Sequence, residues 1–234
     1  MSLPDVVSRE EWLAARKELL AEEKEMTRQR DALNADRRRL PMVKIDKPYV
    51  FTGPEGDVTL RDLFGDYTQL VVGHMMFDPE WEDGCPSCSA GVDEVAPGLI
   101  EHLHTRDTEI VWISRGPLDK LERWKGRKGW DIPWYSSLHS DFNYDFGVTI
   151  DHSRGSDHYN YRPLDIEGEY PGTSFFLRVG DDVFHTYSTF ARGAEWFGGS
   201  YAYLDLSAMG RQEDWEEPKG RSRALRGARP DFAQ

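Results

Sequence analysis

The chain has two cysteines, and both fall in one tetrapeptide, Cys85-Pro86-Ser87-Cys88. Two thiols at this spacing suit disulfide exchange, in which one ionised thiol attacks and the second resolves the mixed disulfide. The start of a helix meets both needs. Cys85 would sit at or just before the first turn, where unpaired N–H groups and the helix dipole favour a thiolate. Pro86 would take the first helical position, where no hydrogen bond is lost. Cys88 would follow nearly one turn later, on the same side and more buried. These positions make Cys85 the attacking nucleophile and Cys88 the resolving thiol. Free cysteines also serve as small packing residues, but the concentration of both in one Cys-x-x-Cys favours redox chemistry.

Other chemistries fit less well. A closed zinc site takes four ligands, and there is no second cysteine pair. His102 and His104 would point about 200° apart on a helix, so both cannot face one ion. A soft ion such as Cu(I) held by the two thiolates and a distant histidine is the alternative metal reading. Glu82 stands three residues before Cys85, where a peroxidase would carry Thr. The carboxylates Glu80, Glu82 and Asp83 would oppose thiolate formation if they lie close to it. His74, in an apolar run, reads as a core histidine. His152 and His158, with Asp151 and Asp157, read as loop residues. Phe142, Tyr144, Phe146, Tyr159 and Tyr161 would either line a groove or pack an insertion, and His185 is placed only loosely near the thiols. With no Gly-rich phosphate loop of recognised spacing, no cofactor is implied.

The elements that must position the thiols follow from patterning. Ser8 and Glu11 form a capping-box pattern, and no Pro or Gly intervenes until Pro41. One helix over Arg9–Arg39 is predicted, roughly 45 Å long. Trp12, Leu19, Met26, Leu33 and Leu40 recur every seven residues along it, with Leu13 and Leu20 alongside. That narrow stripe either lies along the helix's own domain or embraces a second subunit as a homodimer arm. Strands are then predicted around Tyr49–Phe51, Asp57–Leu60, Gln69–Phe77, Glu109–Ser114 and Pro133–Ser136, and a short turn at Thr59–Phe64. Helices are predicted over Pro86–His104 and from Pro117 to Gly126 or Gly129. Residues 139–172 read as a loop-like insertion. Thr173–Val179 and Asp182–Thr186 form a hairpin at Gly180-Asp181, followed by a closing helix over Arg192–Leu204.

The β-α-β crossover makes the first two core strands parallel, and the tight hairpin makes the last two antiparallel. The predicted fold is therefore α/β and thioredoxin-like, a central mixed sheet flanked by helices. Residues 1–41 are a charged helical arm, 42–210 the domain with its insertion, and 211–234 an irregular tail. The net charge of −13 disfavours nucleic acid and anionic membrane surfaces as partners. With no signal-like N-terminus, no long apolar segment and no disulfide framework, a cytoplasmic location is expected.

Several segments carry a resemblance that covers nearly the whole chain. They are Arg37-Arg38-Arg39-Leu40-Pro41, Phe77-Asp78-Pro79-Glu80-Trp81 ahead of the cysteines, Phe184-His185-Thr186-Tyr187-Ser188-Thr189, and Leu204-Asp205-Leu206. Together they resemble an uncharacterised thioredoxin-like family of bacterial proteins described as predicted dithiol–disulfide oxidoreductases. The resemblance implies a protein or small-molecule thiol or disulfide as substrate, with Trp81, Pro86, Ser87 and Thr173 beside it. Thioredoxins resemble one another in a cis-proline facing the thiols. Here Thr173 takes that place, with Pro171 two residues earlier, as in peroxiredoxin-like relatives. A non-catalytic scaffold, with the N-terminal helix as its working part, is the remaining alternative.

Overall fold

Ser8 opens the first helix through a closed capping box. The Glu11 amide donates to its hydroxyl at 3.2 Å, while the Ser8 amide and hydroxyl donate to the Glu11 carboxylate at 2.9 and 2.7 Å. The resulting helix, α1, spans Arg9–Arg39, as the spacing predicts. The computed structural model describes residues 6–96, 98–194, 203–204, 207 and 210. The arm touches the rest of the molecule through its last turns. Asn34, Ala35 and Arg38 are its buried residues, and the Arg37 guanidinium lies 5.5 Å from the centre of the Tyr187 ring. At about 100° per residue, Leu33 and Leu40 point roughly 150° or more away from the centre of that buried face. The apolar stripe therefore does not lie along its own domain.

After α1 come β1 (Val43–Lys44), the hairpin strands β2 (Val50–Gly53) and β3 (Gly56–Thr59), and a 3-10 turn at Asp62–Phe64. The predicted buried strand is β4, Gln69–His74; α2 follows at Pro86–Asp93 and α3 at Leu99–His104. Next are β5 (Thr108–Ser114), α4 (Leu118–Lys128) and β6 (Trp134–Ser136). The insertion carries α5 (Phe142–Asp145), β7 (Thr149–Ile150), β8 (His158–Tyr159), β9 (Arg162–Pro163) and β10 (Gly168–Glu169). The chain returns through β11 (Gly172–Val179) and β12 (Asp182–Phe190).

One eight-stranded sheet runs in the order β1-β12-β11-β4-β5-β6-β2-β3. At its centre β4 and β5 are parallel, whereas β11 is antiparallel to both β4 and β12. This is the expected thioredoxin core, two parallel strands joined by helices and two antiparallel strands joined by a hairpin. Alternation along β4 and β11 splits the interior in two. Val71 and Phe175 face a core with Phe77, Leu103, Leu121 and Trp134. Leu70, Val72 and Phe176 face a second core with Phe51, Phe64, Ile113 and Phe142.

Three expectations need correction. The helix predicted over Pro86–His104 is two helices: α2 ends at Asp93 with Glu94 as its C-cap, and α3 starts anew from Gly98, whose φ of +85° is left-handed. The buried strand stops at His74; Met75 and Phe77 remain in the core as loop residues. The insertion is more ordered than its composition suggests: β7 pairs β10 and β8 pairs β9, each antiparallel. Its ladders are only two residues long, too short to leave a periodic signature in the sequence. The predicted closing helix over Arg192–Leu204, for the most part, and the tail from Arg211 lie outside the described residues.

Candidate redox site at the start of the second helix

Cys85 is the N-cap of α2 and Pro86 occupies the first turn. The Cys85 amide donates to the Met76 carbonyl at 3.2 Å, and its own carbonyl accepts the Ser89 amide at 2.9 Å. Both cysteines are free thiols. The Cys85 side chain and the Met76 backbone both act on the Cys88 sulfur, and the Met76 carbonyl, just past the end of β4, holds the Cys85 amide. Burial pushes the Cys88 thiol up to about 12, and the neighbouring Cys85 adds to the rise against the opposing Met76 bond. By residue surface the predicted order is reversed: Cys85 is 9% exposed, whereas Cys88 keeps an intermediate exposure. The cap position tucks Cys85 under the 76–84 loop, while Cys88 opens onto a cavity.

That cavity, about 400 Å³, is lined by Ser87, Cys88, Pro171, Thr173, Val92 and Trp112, among others. The structure therefore brings Ser87, Cys88 and Thr173 to the lining of one cavity. Thr173 is 5% exposed and pairs with Gly73 on one side and Thr189 on the other. Pro86 is exposed at the first turn and does not line the cavity. Trp81 is also outside the lining and 39% exposed. Its contribution is a main-chain one, since its carbonyl accepts Lys120 Nζ at 2.9 Å.

The acidic loop ahead of Cys85 is neutralised by α4, a feature that sequence reasoning missed. Lys120 pairs with Glu82 at 2.8 Å and reaches the Pro79 carbonyl at 3.1 Å; Arg123 lies 3.6 Å from Glu82, and Arg127 pairs with Asp83. The Lys120 bond holds the Glu82 carboxyl below its usual range. Lys120, Trp124 and Arg127 recur at i, i+4 and i+7, so one face of α4 meets the loop. That charge pattern, opposite an acidic run, was the available signal. The Trp124 indole donates to Ser89 Oγ at 3.2 Å, which ties α4 to α2 as well. Gly84 permits this approach, because a Cβ there would stand 2.9 Å from the Trp124 indole nitrogen.

Tyr159, one of the insertion aromatics read from the sequence as groove-lining or packing, works through its hydroxyl. Its hydroxyl donates to the Pro171 carbonyl at 2.8 Å and accepts the Ala191 amide at 2.9 Å. Pro171 and Ala191 both line the thiol cavity, and Cys88 is among the groups that raise the Tyr159 phenol. The insertion thus pins the start of β11 and the end of β12 beside the thiols. Its other aromatics pack: Phe142 meets Tyr49 and Phe51 edge-on, and the Tyr144 ring lies between Arg115 and Arg154 at 4.9 and 4.4 Å. Arg115 also joins Glu169 at 2.7 Å, fixing β10 to the end of β5.

His74 is among the residues lining the thiol cavity, but its ring packs against Phe142 and Phe146 on the opposite face of the sheet. His74 is a core residue, and its Nε2 bonds Ser174 Oγ at 2.8 Å. Ser174 bonds Ser188 at 2.8 Å, and Ser188 bonds His185 Nε2 at 2.7 Å. This polar chain crosses β4, β11 and β12 on the face packed by Phe142 and Phe146, whereas the thiol cavity lies on the other face. The loose placement of His185 near the thiols is thereby corrected; Ser188 turns it to the opposite side. Burial depresses both rings, His74 to about 3. His158 pairs with Asp157 at 2.5 Å, and His152 bonds the Leu164 carbonyl at 3.1 Å. Among the described residues, no group of three or more His, Cys, Asp or Glu is placed to hold a metal. No described helix is long and apolar enough to cross a membrane.

The sheet and its helices define a thioredoxin-fold protein carrying a paired thiol at a strand-to-helix junction. The chain matches the model of a family described as bacterial protein of unknown function (DUF899) over residues 1–226, and it belongs to that family. No curated protein matches it in sequence. Among solved structures it is similar to the peroxidoxin BcpB from Mycobacterium tuberculosis, at 15% identity and a TM-score of 0.46. That match covers 71% of this chain and 96% of the other. It is also similar to peroxiredoxin Q of Xanthomonas campestris, at 19% identity and a TM-score of 0.45, covering 66% and 87%. A reduced 2-Cys peroxiredoxin of Plasmodium vivax matches at 15% identity and a TM-score of 0.42, covering 66% and 70%.

Proposed function

We propose that this protein is a cytoplasmic dithiol–disulfide oxidoreductase working through Cys85 and Cys88. The observation that carries the reading is the pairing of the two thiols at the N-terminus of α2, with Cys88 held protonated beside Cys85. Cys85 stands at the helix start, and Glu82 and Asp83 ahead of it are ion-paired with Lys120 and Arg127 of α4.

In the reductive direction, the Cys85 thiolate attacks one sulfur of a substrate disulfide. A Cys85–substrate disulfide forms and the other substrate sulfur leaves as a thiolate. Cys88 then gives up its proton to that leaving thiolate and attacks Cys85. The Cys85–Cys88 disulfide forms, and the second substrate sulfur leaves with the two electrons the protein has lost. The reverse sequence oxidises a substrate dithiol. Ser87 and Thr173 stand where a substrate entering the Cys88 cavity would meet them. Incubating Cys88→Ser with a disulfide substrate should accumulate a mixed disulfide through Cys85, visible by intact mass, while Cys85→Ser should not. The opposite pattern would reverse the roles, and no adduct with either variant would sink the exchange reading.

A further inference from the structure

The apolar row of α1 has no cover from its own domain. Trp12, Leu19, Met26, Leu33 and Leu40 are each between 50 and 66% exposed. The face buried against the domain, at Asn34, Ala35 and Arg38, is on the far side of the helix. A strict seven-residue row drifts about 20° per heptad on a straight helix, the drift that a left-handed pairing of two helices absorbs.

Three features identify what covers the row. The row is symmetric about Met26: an antiparallel copy sets Trp12 against Leu40, Leu19 against Leu33, and Met26 against itself. The charges follow the same symmetry. Arg9–Glu25 carries six carboxylates against four cations, whereas Met26–Leu40 carries five cations against two carboxylates. Antiparallel copies place the acidic half on the basic half; parallel copies would place like on like. Finally, each domain hangs from the C-terminal end of its α1, through Arg37 and Tyr187. Antiparallel pairing sends the two domains to opposite ends of a rod roughly 45 Å long. Parallel pairing would press together two chains of net charge −13.

We propose that α1 is a dimerisation arm that pairs antiparallel with the α1 of a second copy, on a twofold axis through Met26. The interface is isologous and closes on itself. It is independent of the thiol chemistry.

Light scattering of the full chain at tens of micromolar should give twice the chain mass. Met26→Glu sets two carboxylates face to face on the axis and should raise the dissociation constant by about a hundredfold or more. Because Met26 is 66% exposed, the variant should keep its helical circular dichroism and elute as a monomer. Register is read in a Cys85→Ser, Cys88→Ser background under oxidation. A mixture of Leu19→Cys and Leu33→Cys chains should cross-link to each other, and neither should cross-link alone. A monomeric parent, a Met26→Glu variant that stays dimeric with unchanged affinity, or Leu19→Cys chains that cross-link among themselves would each overturn the proposal.

Discussion

The arm and the thiol junction are both helix starts, but they are held in opposite ways. At Ser8 the cap is made by residues three apart in sequence, and the helix then runs 31 residues with burial confined to its end. At Cys85 no side chain caps the helix. The start of α2 is held by Met76 just past β4 and by Lys120, Trp124 and Arg127 on α4, while Tyr159 from the insertion pins the strand ends beside it. A local cap fixes where a helix begins. Tertiary neighbours decide what the first residue of that helix can do chemically.

The largest expected effect tests that second statement at the sulfur atoms. With burial and the neighbouring Cys85 pushing its thiol up, Cys88 stays protonated at pH 7. Iodoacetamide at neutral pH should therefore label Cys85 in peptide maps and leave Cys88 unlabelled. Cys85→Ser should lower the chain's alkylation rate about a hundredfold or more. Preferential labelling of Cys88 would reverse the proposed roles.

The next effect concerns stability against pH. His74 is neutral in the fold and depressed to about 3, against an ordinary value near 6.5. A depressed histidine means that the unfolded chain takes up the proton first. The contribution is therefore fully present above about pH 6.5 and is lost as pH falls towards 3, at about 1.4 kcal/mol per unit. His185 shifts in the same direction. Urea midpoints between pH 7 and 4 should fall more steeply for the parent than for His74→Gln, by an amount on the order of a few kcal/mol. Parallel curves would show that His74 titrates normally in the fold.

A smaller effect is expected at the insertion. Tyr159→Phe removes the hydroxyl between the Pro171 carbonyl and the Ala191 amide and should cost about 1–2 kcal/mol. It should also alter Cys88 reactivity, because the pinned strand ends line the Cys88 cavity. A stability loss with unchanged Cys88 labelling above pH 9 would confine Tyr159 to packing. The smallest effect belongs to the local cap. Ser8→Ala should fray the first turn of α1, read as a slight loss of helix signal, with Cys85 alkylation unchanged. A change in thiol reactivity there would erase the contrast between the two helix starts.

The same contrast explains what could be read from the sequence. Ser8, Glu11 and the absence of Pro and Gly give α1 to the residue, because all its determinants lie within the helix. The apolar run of β4, the Gly180-Asp181 turn and the crossover rule give the core sheet. The spacing of Cys85, Pro86 and Cys88 gives the helix start. Apart from Met76, the side chains that brace the site come from α4 and the insertion, 35 or more residues away in sequence. The basic face of α4 hinted at Lys120 with Glu82, whereas nothing local joins Tyr159 to Pro171. The Gly98 turn that starts a separate α3 did not enter the reading of Pro86–His104 as one helix. The short ladders of the insertion depend on pairing with one another and on packing under Tyr159, so composition alone reads them as loop.

The reduction potential of the Cys85–Cys88 pair tests the central claim most directly, with purified protein equilibrated in graded thiol buffers and its free thiols counted. Exchange chemistry predicts a reversible two-electron transition near cytosolic poise, roughly −200 to −300 mV. Two thiols that stay free under oxidising buffer would contradict the redox account.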